Sequence, residues 1–176
     1  MSETPACIIR QARLDELPRL TEIENDAFAT LAEALGVVRE PHALPRDVLQ
    51  RSLDAGLLLV ATDDEDQSIA FLAAEEIESS LYVIEFDVCQ ASQHRGVGRR
   101  LMLAVIEMAR AGGFSGVTLT TDRYVPFNAP FYASLGFIEQ ESEAMPQFLQ
   151  KKLAYEIETG MDPDRRIAMV LAFKEV

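Results

Sequence analysis

Between Val83 and Gly113 the chain reads VIEFDVCQASQHRGVGRRLMLAVIEMARAGG: an apolar strand, a polar turn with two glycines, and a long amphipathic helix. Few orders build an anion site from backbone alone, and this is one of them. Val97, Leu101, Met102, Val105, Ile106, Met108 and Ala109 recur at helical spacing, so one broad face of that helix must be buried. Its first amides lack intrahelical acceptors, and the helix start carries about +0.5 of a charge, which suits a phosphate. Gly96 and Gly98 would let a phosphate approach the backbone, and Arg95 and Arg99 could add charge-assisted contacts. The same glycines would also serve a plain tight turn, and both readings stay open here.

The rest of the chain is organised around this stretch. Cys7 to Arg13 reads as a first strand, ending where Asp15 can cap a helix. Leu17, Leu20, Ile23, Ala27 and Phe28 predict an amphipathic helix over 15–35 that Gly36 ends. GVVREPHALP has no period and holds two prolines, so it is a loop, either a lid over a substrate or a plain connector. PRDVLQRSLDAG is a short helix closed by Gly56. LLLVATDD and SIAFLAAEEIESS form a hairpin about the acidic turn DEDQ, and LYVIEFDV is the next strand. Past the glycine turn and its helix come a strand GVTLTTD, a short helix FNAPFYASLG, a strand FIEQESE, a helix PQFLQKKLAYEIETG and a last strand RIAMVLAF. The expectation is a single α/β (α+β) domain over residues 1–176, with a mixed, mostly antiparallel central sheet flanked by helices.

Composition narrows the function. Twenty-nine acidic against sixteen basic residues give a net charge of −13, which argues against a nucleic-acid partner. No apolar run reaches the ~18 residues of a membrane span, and the N-terminus has no secretory pattern. Two cysteines and two histidines without ligand spacing make neither a disulfide framework nor a zinc site, so no metal is expected and a cytoplasmic setting suits the chain. Oligomeric state is left open, with a homodimer among the options.

One rival owner of the glycine turn is a dinucleotide, because Asp122 ends a strand 24 residues after Gly98, near the ~20 of a ribose-binding acid. Leu101 replaces the third glycine of that fingerprint, however, and a strand meander precedes it instead of alternating strands and helices. The chain instead resembles the GNAT superfamily of acetyl-CoA-dependent N-acetyltransferases. Gln93, Gly96 and Gly98 match its Q/R-x-x-G-x-G/A signature, and FYASLGF from Phe131 to Phe137 is similar to its Y-x-x-x-G-F segment.

That resemblance implies acetyl-CoA as cosubstrate and an amine acceptor on a small molecule or a protein. It places the pyrophosphate on Gln93, His94, Arg95, Gly96, Val97, Gly98 and Arg99, and the pantetheine arm along the backbone of Asp87, Val88 and Cys89. Asn128 and Phe131 complete the cofactor-binding set; Asn128 would also cap its helix, although the commoner family spacing puts the asparagine at Val125. Tyr132 matches the tyrosine that protonates the departing thiolate. An alkylammonium has a pKa near ~10.4, so a base or a water chain must deprotonate it first. Glu85 and Asp87, two apart on one strand, point to one face away from Ile84, Phe86 and Val88; Glu85 is the favoured base and Asp87 the alternative. Glu24, Asp26, Glu75 and Glu76 could hold a substrate cation or face solvent. Cys89 reads as a packing residue. A non-catalytic acyl-CoA sensor remains the alternative from another class.

Overall fold

The computed structural model describes residues 7–174. Its seven strands form one mostly antiparallel sheet in the order β1-β2-β3-β4-β5-β7-β6, with helices flanking it. By internal contacts the chain divides into two compact units, and β3, β4 and α3 each contribute to both.

The first unit takes the described part of Met1–Glu75 with Ile84–Met108. It holds β1 (Ile8–Gln11), α1 (Leu17–Leu35), α2 (Arg46–Asp54), β2 (Leu58–Thr62), most of β3 (Ser68–Ile77), the second half of β4 (Ser80–Val88) and most of α3 (Val97–Ala111). Its core joins Leu17, Leu20 and Ile23 of α1 and Leu49 of α2 to Leu58, Val60, Phe71 and Ala73 of the strands. Each such side chain contributes roughly 1.5–3 kcal/mol when buried, so α1 is held by its apolar stripe rather than by its termini. The expected Asp15 cap does not form. Leu14–Glu16 is instead a short 3-10 turn, in which the Glu16 carboxylate accepts the Arg13 amide at 2.7 Å and the Arg10 guanidinium at 2.7 and 2.9 Å. Pro18 then opens α1, and Gly36 closes it in the left-handed region at φ 65°.

The second unit takes Glu76–Val83 with the described part of Ala109–Val176. β5 (Gly116–Asp122) lies at its centre, antiparallel to β7 (Arg166–Ala172) over seven residue pairs and parallel to the start of β4 from Ser80↔Gly116 to Tyr82↔Thr118. Gly116 permits that crowding, since a Cβ there would stand 2.5 Å from the Leu171 carbonyl oxygen. α4 (Ala129–Ser134) and α5 (Gln147–Glu158) follow the predicted segments. β6 is Ile138–Glu139, far shorter than FIEQESE, because beyond Gln140 the polar run ESE offers no apolar alternation to hold it on the sheet.

Candidate active site

The glycine turn belongs wholly to the first unit, and α1 braces it at two points. Asp26 accepts the Gln90 backbone amide at 2.7 Å and its side-chain amide at 3.0 Å, fixing the 3-10 turn Gln90–Ser92. Thr30 donates to Gln93 Oε1 at 3.1 Å while Gln93 Nε2 donates to the Val88 carbonyl at 2.9 Å. The Gln93 side chain therefore spans α1, β4 and the turn, and its backbone amide goes to the Gln90 carbonyl. Its place in the signature is explained by this bracing. His94, Arg95 and Gly96 follow on the surface, with φ 59° at His94 and 78° at Gly96. Backbone of this alternating kind forms a concave anion nest, and it leads straight into the first turn of α3.

The two glycines have different physical reasons. Gly96 is needed for its left-handed backbone. Gly98 is needed for packing, since a Cβ there would meet the Phe86 ring at 3.2 Å and Val88 at 3.3 Å. The expectation that both keep space clear for a phosphate is thus corrected for Gly98, whose open face is turned to β4. Val97 is 2% exposed in the core and Arg99 is exposed in the first turn of α3. Arg100 donates to the Cys7 carbonyl at 2.8 Å and ties α3 to the approach of β1. At the end of β4 the Cys89 amide donates to the Ile69 carbonyl at 2.9 Å, so that amide is taken up inside the fold. The Cys89 thiol is buried in the core cluster, as a packing residue should be.

Glu85 and Asp87 do share a face, opposite Phe86 and Val88, and Glu24 of α1 meets them there: each of the three offers a carboxylate oxygen within 4.8 Å of the others'. Both oxygens of Glu24 accept the Leu44 amide, at 3.0 Å each, which pins the loop before α2 to α1. Asp87 Oδ2 is sealed from solvent and receives no hydrogen bond. Burial first, then the charge of Glu85, pushes Glu24 up to about 7, against the pull of the Leu44 amide. Burial, followed by the charges of Glu85 and Glu24, pushes Asp87 well above the usual carboxylate range. Both directions say the same thing: the cluster holds protons more tightly than ordinary carboxylates. Of the four acids named as cation candidates, Glu24 alone joins this cluster. Its signal lay in the sequence, since a glutamate four residues after Leu20 and three before Ala27 falls on the apolar stripe.

In the second unit Tyr132 lies on α4, 8% exposed, its ring edge-on to Phe131 at 5.3 Å and Phe137 at 5.7 Å. FYASLGF thus packs as an aromatic cluster around the tyrosine, with Gly136 at φ 96° turning the chain back. Asn128 sits at the N-cap, but its side chain makes no capping bond, a correction to the expected role. The Asp122 carboxylate accepts the Tyr124 and Val125 amides at 2.8 and 2.9 Å, and Arg165 at 2.7 and 3.0 Å. It is committed to shaping the turn after β5, which removes the ribose-binding acid of the dinucleotide reading.

The described residues thus form a mostly antiparallel sheet with a parallel β4–β5 pair, a glycine turn opening α3 and an aromatic Y-x-x-x-G-F helix. The model of the acetyltransferase (GNAT) family matches residues 17–137, more than half the chain, and the protein belongs to that family of acetyltransferases. Solved structures agree on the fold. The PaiA N-acetyltransferase of Thermoplasma acidophilum, crystallised with coenzyme A, is 14% identical at a TM-score of 0.72, over 96% of this chain and 99% of that one. The ribosomal-protein-S18-alanine N-acetyltransferase of Escherichia coli is 17% identical at 0.68, over 97% and 96%. Arabidopsis thaliana Naa50, bound to the bisubstrate analogue CoA-Ac-MVNAL, is 15% identical at 0.66, over 95% and 99%. Among the described residues no helix is long and apolar enough to cross a membrane.

Proposed function

We propose that residues 1–176 act as one N-acetyltransferase domain that moves an acetyl group from acetyl-CoA directly to a primary amine, on a small molecule or a protein, within a ternary complex. The observation that carries this reading is the cluster of Glu24, Glu85 and Asp87. A carboxylate whose affinity for protons is raised toward neutrality is a better proton acceptor from an alkylammonium than an ordinary one. Glu85 takes the proton, beside Glu24 and Asp87, whose own affinities for protons are raised. The neutral nitrogen then attacks the acetyl carbonyl, and the carbon–sulfur bond breaks as the tetrahedral centre collapses. Tyr132 gives its proton to the departing thiolate, and the excess proton left on the acetylated nitrogen returns by way of solvent to the phenolate.

The nest at His94–Gly96, the first turn of α3 and Arg95 and Arg99 hold the pyrophosphate. Backbone at Asp87 and Val88 pairs with the pantetheine arm, with Asn128 and Phe131 as further contacts. Coenzyme A in one of the related structures and a CoA-containing bisubstrate analogue in another are consistent with this assignment. Two buried free cysteines suit a reducing, cytoplasmic setting.

The test is coenzyme A release across an amine panel, with product mass, for the wild type and Tyr132→Phe. The wild type should acetylate at least one amine, and Tyr132→Phe should lose about 10²-fold or more in kcat with acetyl-CoA affinity retained. An unchanged kcat removes Tyr132 as the acid. Tight coenzyme A binding with no product from any amine makes the protein a sensor.

A further inference from the structure

The carboxylate cluster also bears on which amines are accepted. An alkylammonium carries three N–H donors and no acceptor. The oxygens of Glu24, Glu85 and Asp87 lie within 4.8 Å of one another, close enough for one nitrogen to meet all three. Three acids gathered this closely are costly unless a proton or a cation joins them. Asp87 supplies an independent sign that something belongs there: its Oδ2 is closed off from water and receives no donor. A side chain in that position forfeits hydration and has in return a proton shared with Glu85, which the donors of a bound ammonium would replace.

We propose that Glu24, Glu85 and Asp87 together form the seat of the acceptor's alkylammonium group, and that they select amines with no carboxylate next to the reacting nitrogen. The inference rests on the acetyl-transfer reading for its chemistry and adds a substrate class to it. A carboxylate on the carbon bearing the amine would bring a further negative charge against a cluster already crowded with acids, so α-amino acids are rejected. Amines on an alkyl stem, including lysine side chains, aliphatic amines and amino sugars, are accepted. An ammonium suits the seat better than a divalent ion. Both oxygens of Glu24 already accept the Leu44 amide, and hard ions call for six or more oxygen ligands. The raised proton affinity of Glu24 and Asp87 has the sense expected of a site that waits for positive charge.

A matched pair of probes isolates the point: n-butylamine, and norvaline, which is the same chain with a carboxylate on the carbon bearing the amine. Each is titrated by NMR into the protein saturated with coenzyme A, and each is assayed for acetylation with acetyl-CoA. The expected result is binding of n-butylamine at least about 100-fold tighter than norvaline, weakened about 10-fold in Glu24→Gln and in Asp87→Asn. Both variants lower the charge of a crowded cluster, so they should remain folded. Equal binding of the two probes overturns the proposal, as does unchanged n-butylamine binding in both variants, or displacement of the amine by micromolar magnesium or calcium. The acetylation arm separates the two claims. Bound n-butylamine with no acetylated product keeps the seat and defeats acetyl transfer, while acetylated norvaline keeps acetyl transfer and defeats the seat.

Discussion

Glu24→Gln is the substitution that most directly tests the electrostatics of the carboxylate cluster. The folded protein raises the Glu24 carboxyl from 4.5 to about 7, so it binds that proton more tightly than the unfolded chain does. A group shifted upward stabilises the fold fully below its unfolded value, and that stabilisation is lost as pH rises through the folded value of about 7. At ~1.36 kcal/mol per pKa unit the interval amounts to about 3.4 kcal/mol. Solvent screening and proton sharing with Asp87 and Glu85 reduce this to about 1–2 kcal/mol. Glutamine keeps an oxygen for the Leu44 amide and carries no charge. Glu24→Gln should therefore be more stable than the wild type by about 1–2 kcal/mol near pH ~8, with the gap closing toward pH ~4.5. Urea unfolding at a series of pH values reads this directly, and scanning calorimetry should show a gain of about 2–8 °C at the upper pH. A gap that stays the same across the series, or a variant less stable at the upper pH, would refute the assignment of strain to this carboxylate.

Two glycines give further tests. Gly98→Val forces side-chain bulk against Phe86 and Val88, which stand 3.2 and 3.3 Å from the position of its first carbon. It should cost about 1–3 kcal/mol in urea unfolding and weaken coenzyme A binding as the start of α3 shifts, and an unperturbed variant would show that α3 has room to spare. Gly116→Ala drives a methyl to 2.5 Å from the Leu171 carbonyl oxygen. A loss of about 2–3 kcal/mol is expected in the same measurement, and a loss below about 0.5 kcal/mol would mean that the β5–β7 ladder yields easily.

Much of the architecture was legible because it is carried by local pattern. The strand over 116–122 was read to the residue, and Gly36, Gly56 and Gly136 end their segments with positive φ. What escaped was what distant segments impose. A glutamine in the signature looks like a ligand contact until Thr30, 63 positions earlier, is seen to hold its side-chain oxygen. Gly98 looks like open space for a phosphate until Phe86 and Val88 fill that side. Asn128 has the right place for a cap but lacks the bond, and FIEQESE has the apolar start of a strand without the alternation to continue it. For the carboxylate cluster, spacing on β4 was sufficient to put Glu85 and Asp87 on one face, whereas the third member comes from another element. A charged residue on the buried stripe of α1 was the clue to Glu24, and it became decisive only with the strand beside it.

The bracing of the glycine turn has a thermodynamic consequence. α1 carries Glu24 at the carboxylate cluster and, within two turns of the same helix, Asp26 and Thr30 at the loop that shapes the anion nest. A rigid rod that touches both places cannot be displaced at one without being felt at the other. Whatever settles α1 against the carboxylates also settles the nest, so the affinities of any two ligands held at these two places would be linked through it. By reciprocity, the factor by which one sharpens the other must be the same in both directions.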